Sequence, residues 1–268
     1  MKIGIIGMGK MGEALVEGLR HSKEHQDVRV VATTRSRESA EEVKERLGIE
    51  CGIDNRALVK QCDLIVLAVK PSQAEKVLRE VAKGLGTTKT VISICAALTT
   101  EQLEKWSGGK CTVIRAMPNT PCLIGQGMTV LTPGSKASAR QLDVAESIFA
   151  AVGRTTRVDE ALMDGVTGLS GCGPAYVYLI IEALSEGGVK VGLPRKTATL
   201  LAAQTLLGAA KMVIDRDVHP AALKDEVTTP AGCTIDGLMA LEEGKLRVTL
   251  IKAVLAATTK SRLLREES

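Results

Sequence analysis

Short runs of consecutive apolar residues alternate with helically spaced ones through the first 116 positions of the chain. The runs at 2–6, 28–33, 64–68, 90–95 and 112–116 are rich in Val, Ile and Thr and nearly free of charge, the pattern of strands buried on both faces. Between them, 11–21, 37–47 and 72–81 carry apolar side chains at helical spacing, as Val77, Leu78 and Val81 do. Strand, helix, strand, helix, strand in that order predicts an α/β fold: an open, doubly wound parallel sheet of the Rossmann kind, covered by its crossover helices.

Beyond about residue 158 the strand pattern stops. Helical spacing follows at 159–169, 174–191, 194–215, 220–224, 234–243 and 247–265, with Pro174, Pro194 and Pro220 where first helical turns begin. The chain therefore divides into an α/β domain over 1–158 and an all-helical domain over 159–268. From 197 to 210, fourteen residues carry no charge and are apolar on all sides, more than one small bundle covers. A helix buried in an oligomer is expected there.

Composition narrows the class. The 268 residues are 45% apolar, enough for a real core and too many for disorder. A charge-free stretch at 116–135 is long enough to span a bilayer, but three prolines and three glycines interrupt it, so no membrane span is expected there. No apolar segment behind a basic head precedes the first strand, which reads as a cytoplasmic protein. The cysteines at 51, 62, 95, 111, 122, 172 and 233 are odd in number and form no C-x-x-C pair, so neither a metal site nor a disulfide framework is expected. Trp106, Phe149, Tyr176 and Tyr178 are the only aromatic rings and the net charge is +4, which offers nucleic acid no stacking platform. Residues 1–158 hold 23 basic and 17 acidic side chains and the remainder 12 and 14, so an anionic ligand belongs mainly with the first domain.

Gly7-Met8-Gly9-Lys10-Met11-Gly12 follows the first strand and opens a helix, the context that gives G-x-G-x-x-G its meaning as a dinucleotide site. Gly7 allows the tight turn, Gly9 lets backbone approach a pyrophosphate, and Gly12 allows close packing of helix on strand. The helix N-terminus supplies free N–H groups to the phosphates. A carboxylate at the end of the second strand would bind the ribose 2′-hydroxyl of NAD, but that strand ends Ala32-Thr33-Thr34-Arg35-Ser36-Arg37. Hydroxyls and guanidiniums suit a 2′-phosphate, which favours NADPH. The alternative is that Arg35 and Arg37 begin a solvated helix, in which case NADH is accepted. Ala68-Val69-Lys70-Pro71 and Cys95-Ala96-Ala97 end two further strands at the edge where open sheets bind ligands. Lys70 there either meets a phosphate or ribose or is simply exposed, and the small residues around Ala96 leave room for a flat ring. In the stiff loop Met117-Pro118-Asn119-Thr120-Pro121, Asn119 is placed to reach a carboxamide.

The second half holds two glycine-rich breaks, at 168–174 and 228–234, each leading into a helix. Both are expected to present N–H groups and hydroxyls to a small anion such as a carboxylate, or else to be ordinary caps. Between Val158 and Val189 there is no Lys, Arg or His to take a proton from an alcohol. Reduction of an imine that is already protonated asks less of the protein, since only orientation, hydride delivery and one hydroxyl donor are needed.

Taken in order, Ile5-Ile6-Gly7-Met8-Gly9-Lys10-Met11-Gly12, Leu67-Ala68-Val69-Lys70-Pro71, Met117-Pro118-Asn119-Thr120-Pro121, Thr167-Gly168-Leu169-Ser170-Gly171-Cys172-Gly173-Pro174-Ala175-Tyr176 and Gln204-Thr205-Leu206-Leu207-Gly208-Ala209-Ala210-Lys211 closely resemble the pyrroline-5-carboxylate reductases nearly end to end. The resemblance implies reduction of the cyclic imine 1-pyrroline-5-carboxylate to L-proline with NAD(P)H, the last step of proline synthesis. It implies helical domains paired into homodimers, often assembled further into decamers. It also implies cofactor contacts from Ile6, Gly7, Met8, Gly9, Lys10, Met11, Thr34, Arg35, Asn55, Ala68, Val69, Lys70 and Ala96. The substrate carboxylate is then held by backbone N–H groups of the 230–234 turn, through Ala231, Gly232, Cys233 and Thr234, at a subunit interface. The Thr234 hydroxyl lies near the ring nitrogen in that reading and is the catalytic donor. Ala231 and Cys233 depart from the family's usual Pro-Gly-Gly, Leu98 stands where Gly is usual, and Cys172 where Ser is common.

Two other readings stand beside this one. A β-hydroxyacid dehydrogenase of the same architecture would need the lysine that 158–189 lacks. A dinucleotide-binding sensor without turnover would need the first domain but not two anion-binding helix starts in the second.

Overall fold

The computed structural model describes residues 1–267. Eight strands form one sheet: β1 (Lys2–Ile6), β2 (Arg29–Thr33), β3 (Glu50–Gly52), β4 (Leu64–Leu67), β5 (Thr90–Ser93), β6 (Thr112–Met117), β7 (Gly127–Pro133) and β8 (Gly153–Arg157), in the order 3-2-1-4-5-6-7-8. The first six run parallel, β7 pairs antiparallel to β6, and β8 runs parallel to β7. The order reverses between β1 and β4, where connections leave in opposite directions and a crevice opens at the carboxyl ends.

Five strands lie where the apolar runs place them. The other three escaped that reading for physical reasons: β3 is three residues long, β7 is broken by Gly and Thr, and β8 (Gly-Arg-Thr-Thr-Arg) is a mostly exposed edge whose charges suit water rather than a core. Helices α1 (Lys10–His21), α2 (Arg37–Leu47) and α4 (Pro71–Val81) match the helical spacing. Three more complete the layer: α3 (Asn55–Gln61) between α2 and α4, then α5 (Thr100–Trp106) and α6 (Ala139–Ala150) after α4. The last two each begin with a capping box, Thr99 with Gln102 and Ser138 with Gln141.

Two apolar cores cover the two faces of the sheet. Ile3 and Ile5 join Leu15 and Leu19 of α1, Val43 of α2 and Phe149 of α6 in one. Ile65 and Leu67 join Leu58 of α3, Leu78 of α4 and Leu103 of α5 in the other. The four residues of β4 are all buried, as a strand covered on both faces must be.

Met1–Cys172, together with the chain from Leu255 onward, forms one compact unit, and Gly173–Val254 forms a second. In the first, a 3-10 turn (Glu160–Leu162), α7 (Met163–Val166) and a π-helical turn (Thr167–Gly171) follow the sheet. Buried Asp164 accepts from Ser261 (2.8 Å) and pairs with Arg265 (3.1 Å), which ties the end of α12 (Leu246–Glu266) to this unit. Within the sheet, Arg115 is 1% exposed and bonds Glu160 at 2.6 Å, while its Nε and Nη2 find no partner among the described residues.

The second unit is helical throughout, with α8 (Gly173–Lys190), α9 (Arg195–Arg216), α10 (Pro220–Glu226), α11 (Cys233–Glu243) and the first part of α12. α9 returns along α8 after a turn at Gly192, where φ is 97°. Among its described residues only Ser185, Ala198 and Ala202 are buried, while Tyr178, Leu179, Leu200, Leu207 and Ile251 stand more than half exposed. α9 is long and apolar enough, by length and composition, to cross a membrane.

Candidate active site

The turn after β1 is wedged between the ends of its two neighbours. The Gly7 N–H donates to the Thr33 carbonyl (2.9 Å) and the Ala68 N–H to the Ile6 carbonyl (2.8 Å). Gly7 has φ 95°, and a Cβ there would lie 2.7 Å from the Ala68 carbonyl oxygen, so both conformation and space require glycine. At Gly12 a Cβ would lie 3.0 Å from the Gly7 oxygen, because α1 packs directly on the turn. Gly9 is different: a Cβ there meets nothing within 4 Å. It is the N-cap of α1 and no side chain caps that helix, so its first N–H groups are left for an anion.

This turn forms one wall of a cavity of about 490 Å³ at the switch point of the sheet. Ile6, Gly7, Met8, Gly9, Thr34, Arg35, Asn55, Ala68, Val69 and Lys70 all line it, which brings together most of the expected cofactor residues. The open space over Gly9 beside an uncapped helix start, together with three lining cations, Arg35, Lys70 and Lys76, fits a phosphorylated dinucleotide. Lys10 and Met11 sit in the first turn of α1 and Ala96 follows β5; these three do not line the cavity.

At the β2 side, the Thr34 N–H donates to the Gly52 carbonyl (2.9 Å) and its hydroxyl to the Ser36 carbonyl (3.0 Å), which sets the direction of the strand end. Ser36 caps α2 by accepting from the Ser39 N–H (3.2 Å). Arg35 is exposed and makes no ion pair among the described residues, and Arg37 opens α2 outside the cavity. At the β4 side, the buried Cys95 thiol donates to the Val69 carbonyl (3.2 Å) and joins the two strand ends. Burial pushes that thiol up to about 11. Lys70 stands at the N-cap position of α4 without a side-chain cap, and Pro71 opens the helix.

Spacing along the chain did not reveal Thr33, Ser39, Gln73, Lys76, Val77 and Glu80, which complete the lining. Four of these lie on one face of α4 at intervals of three, one and three residues, a helical stripe legible only once the cavity is known to face it. Inside the cavity the Thr33 hydroxyl donates to Asn55 Oδ1 (2.7 Å), and Asn55 Nδ2 donates to Glu80 Oε2 (3.3 Å). Asn119 is engaged within the protein: its Oδ1 accepts from the Met128 N–H (2.9 Å) and its Nδ2 donates to the Ser170 carbonyl (3.2 Å).

The two glycine-rich breaks differ in form. In the first, Thr167–Gly171 form a wide helical turn, with the Cys172 N–H bonded to the Thr167 carbonyl at 2.9 Å, and Cys172 is the break before α8 opens at Gly173. The 228–234 stretch is a true turn into α11. Thr228 donates through its hydroxyl to the Lys224 carbonyl (2.8 Å) and through its N–H to the Asp225 carbonyl (3.0 Å). Ala231 adopts φ 55°, Gly232 N–H bonds the Thr229 carbonyl (3.0 Å), and Gly232 is the N-cap of α11. No side chain caps this helix, so the N–H groups of its first turn, Cys233 and Thr234 among them, are available to an anion; Cys233 is exposed and Thr234 partly buried.

Residues 160–264 match a family model described as pyrroline-5-carboxylate reductase dimerisation, and residues 2–97 match one described as NADP oxidoreductase, coenzyme F420-dependent. A pyrroline-5-carboxylate reductase of Arabidopsis thaliana is 41% identical over 263 residues, covering 98% of this chain and 95% of that protein. The solved structure of a Coxiella burnetii pyrroline-5-carboxylate reductase superposes with a TM-score of 0.92 at 39% identity, over 98% of this chain and 97% of that one. The Plasmodium falciparum pyrroline carboxylate reductase, solved with NADP bound, gives a TM-score of 0.87 at 35% identity, over 99% and 98%.

Proposed function

The chain belongs to the pyrroline-5-carboxylate reductases, and on that premise we propose that it reduces the cyclic imine 1-pyrroline-5-carboxylate to L-proline. The observation that carries the reading is the cavity at the switch point, where residues expected to hold a dinucleotide from four separate segments line one space. Bound NAD(P)H supplies a hydride to the imine carbon.

The residues of this chain bind and orient. The first turn of α1 and Gly9 take the pyrophosphate, and Asn55 faces the ribose end of the cavity. Thr34 and Arg35, with no acid at the end of β2, suit a 2′-phosphate, so NADPH is the preferred cofactor and NADH a poorer one. In the second unit the N–H groups that open α11 hold the substrate carboxylate, through Ala231, Gly232, Cys233 and Thr234. The C=N π pair becomes the nitrogen lone pair of proline, and the Thr234 hydroxyl donates a hydrogen bond to that lone pair as it develops.

The helical unit is a homodimerisation module. Its apolar side chains lie open along α8, α9 and α12, so it has almost no core of its own until a second copy covers them. Higher assembly of such dimers, to a decamer, is compatible with the same reading. All seven cysteines are free, as a reducing cytoplasm leaves them.

The test is NADPH consumption by the purified protein with racemic pyrroline-5-carboxylate, repeated with NADH and, in reverse, with a β-hydroxyacid and NADP. Rapid consumption with proline as product, faster with NADPH, is expected. Turnover of the hydroxyacid with silence toward the imine would overturn the reading, and sedimentation of a lone protomer would overturn the dimer.

A further inference from the structure

One carboxylate lines the cofactor cavity, and it stands among cations. Glu80, on the third turn of α4, shares that wall with Arg35, Lys70 and Lys76. Its side chain is not spent on any of them: among the described residues it makes no ion pair, and its Oε2 accepts from Asn55 Nδ2 at 3.3 Å. The Asn55 amide is gripped at its other end by Thr33, whose hydroxyl lies 2.7 Å from Oδ1.

These two contacts are not equivalent. A hydroxyl donates or accepts, so Thr33 would satisfy the Asn55 amide in either orientation. A carboxylate only accepts, so Glu80 admits only the nitrogen on its side. Glu80 therefore sets which way round Asn55 presents its amide to the cavity. Its backbone is held as well, since Arg56 Nε donates to the Glu80 carbonyl at 3.2 Å. The same carboxylate puts a negative charge on the wall of the cavity that Arg35 and Lys76 also line.

We propose that Glu80 is a positioning and selectivity residue: it orients Asn55 toward the nucleoside end of the dinucleotide and, by its charge, holds back the preference for a 2′-phosphate over a 2′-hydroxyl. The inference rests on the reading of this cavity as the NAD(P)H site. The two roles separate experimentally. NADH carries no 2′-phosphate, so its affinity reports the orientation of Asn55 alone, whereas the ratio of NADPH to NADH affinity reports the charge.

The experiment measures dissociation constants of NADPH and NADH by cofactor fluorescence with the full-length wild type, Glu80→Gln, Glu80→Ala, Asn55→Ala, the Glu80→Ala/Asn55→Ala pair and Arg35→Ala. Glu80→Gln keeps an acceptor for Asn55 and loses the charge: NADH affinity stays within about twofold, and the ratio moves toward NADPH by roughly 3- to 10-fold. Glu80→Ala moves the ratio equally and weakens NADH by about 5-fold, an effect that vanishes in the Asn55→Ala background. Thermal midpoints of all variants serve as the check on folding. Unchanged NADH binding in Glu80→Ala overturns the positioning role, and an unchanged ratio in Glu80→Gln overturns the selectivity role. Arg35→Ala distinguishes the premise: if it leaves NADPH binding untouched, the cavity is not the 2′-phosphate site, and the proposed NADPH preference fails together with this inference. If Arg35→Ala weakens NADPH while both Glu80 variants behave as wild type, only the present inference fails.

Discussion

Alanine at Gly7 and at Gly9 adds the same methyl group two residues apart, and the structure assigns the two substitutions opposite consequences. At Gly7 the backbone has φ 95°, outside what an L side chain adopts comfortably, which costs about 1–3 kcal/mol. The new methyl would also sit 2.7 Å from the Ala68 carbonyl oxygen and 3.0 Å from Val69 Cγ1. Neither neighbour yields cheaply, because Ala68 is bonded to Ile6 through its own N–H, and overpacking of this kind adds about 1–3 kcal/mol. Gly7→Ala is therefore expected to lose roughly 2–5 kcal/mol of stability, a fall of about 5–15 °C in the melting midpoint. Gly9→Ala meets nothing within 4 Å at φ −92°, so its stability should stay within about 1 kcal/mol of wild type. The space its methyl enters is the approach to the α1 N-terminus, and loss of close contact with the pyrophosphate should weaken NADPH by roughly 10-fold or more. Thermal unfolding without cofactor and fluorescence titration with NADPH read the two effects separately. A Gly9→Ala protein that binds NADPH as wild type does would refute the placement of the pyrophosphate, and a Gly7→Ala protein with an unshifted midpoint would refute the strain argument.

Three further outcomes follow from single side chains. Thr234→Ala should lower kcat by roughly 10-fold or more with little change in cofactor binding, the loss of one transition-state hydrogen bond of about 1.5–3 kcal/mol; unchanged turnover removes Thr234 from the chemistry. Glu160→Ala strands the guanidinium of Arg115, which is 1% exposed and already has two unpaired nitrogens, and should cost about 3–5 kcal/mol in urea unfolding, whereas Glu160→Ala with Arg115→Met should recover most of it. Cys95 should resist a thiol reagent at pH 8 in the folded protein while exposed Cys233 reacts first, as peptide mapping of the labelled enzyme would show. Because burial raises the Cys95 thiol from 9.0 to about 11, the unfolded chain loses its proton first as pH rises. Its contribution to stability is complete below about pH 9 and is lost toward pH 11, which a Cys95→Ala comparison over that range would detect.

Much of this molecule is legible along the chain. The buried strands are apolar runs, the helices between them carry 3.6-residue spacing, and the G-x-G-x-x-G turn announces itself by standing between a strand and a helix. Three strands leave no clear pattern: β3 is too short, β8 too polar, and β7, though buried, is broken by Gly and Thr. The stretch at 168–174 reads as a glycine-rich break because glycine disfavours helices by propensity, yet residues 167–171 form a wide helical turn, with Met117 beside Gly171 and the Asn119 contact to Ser170.

Local spacing thus determined which segments become strands and helices, where the dinucleotide turn lies, and that α9 would need a covering partner, because periodicity records how each residue faces its own element's axis. It could not determine which faces meet. Asn55 and Glu80 are 25 residues apart on α3 and α4, and Thr33 ends a strand 22 residues before Asn55. Nothing in their neighbours joins them; the order of strands about the switch point does. The cavity is a property of that order, since its walls come from elements that only the sheet's crossovers bring side by side.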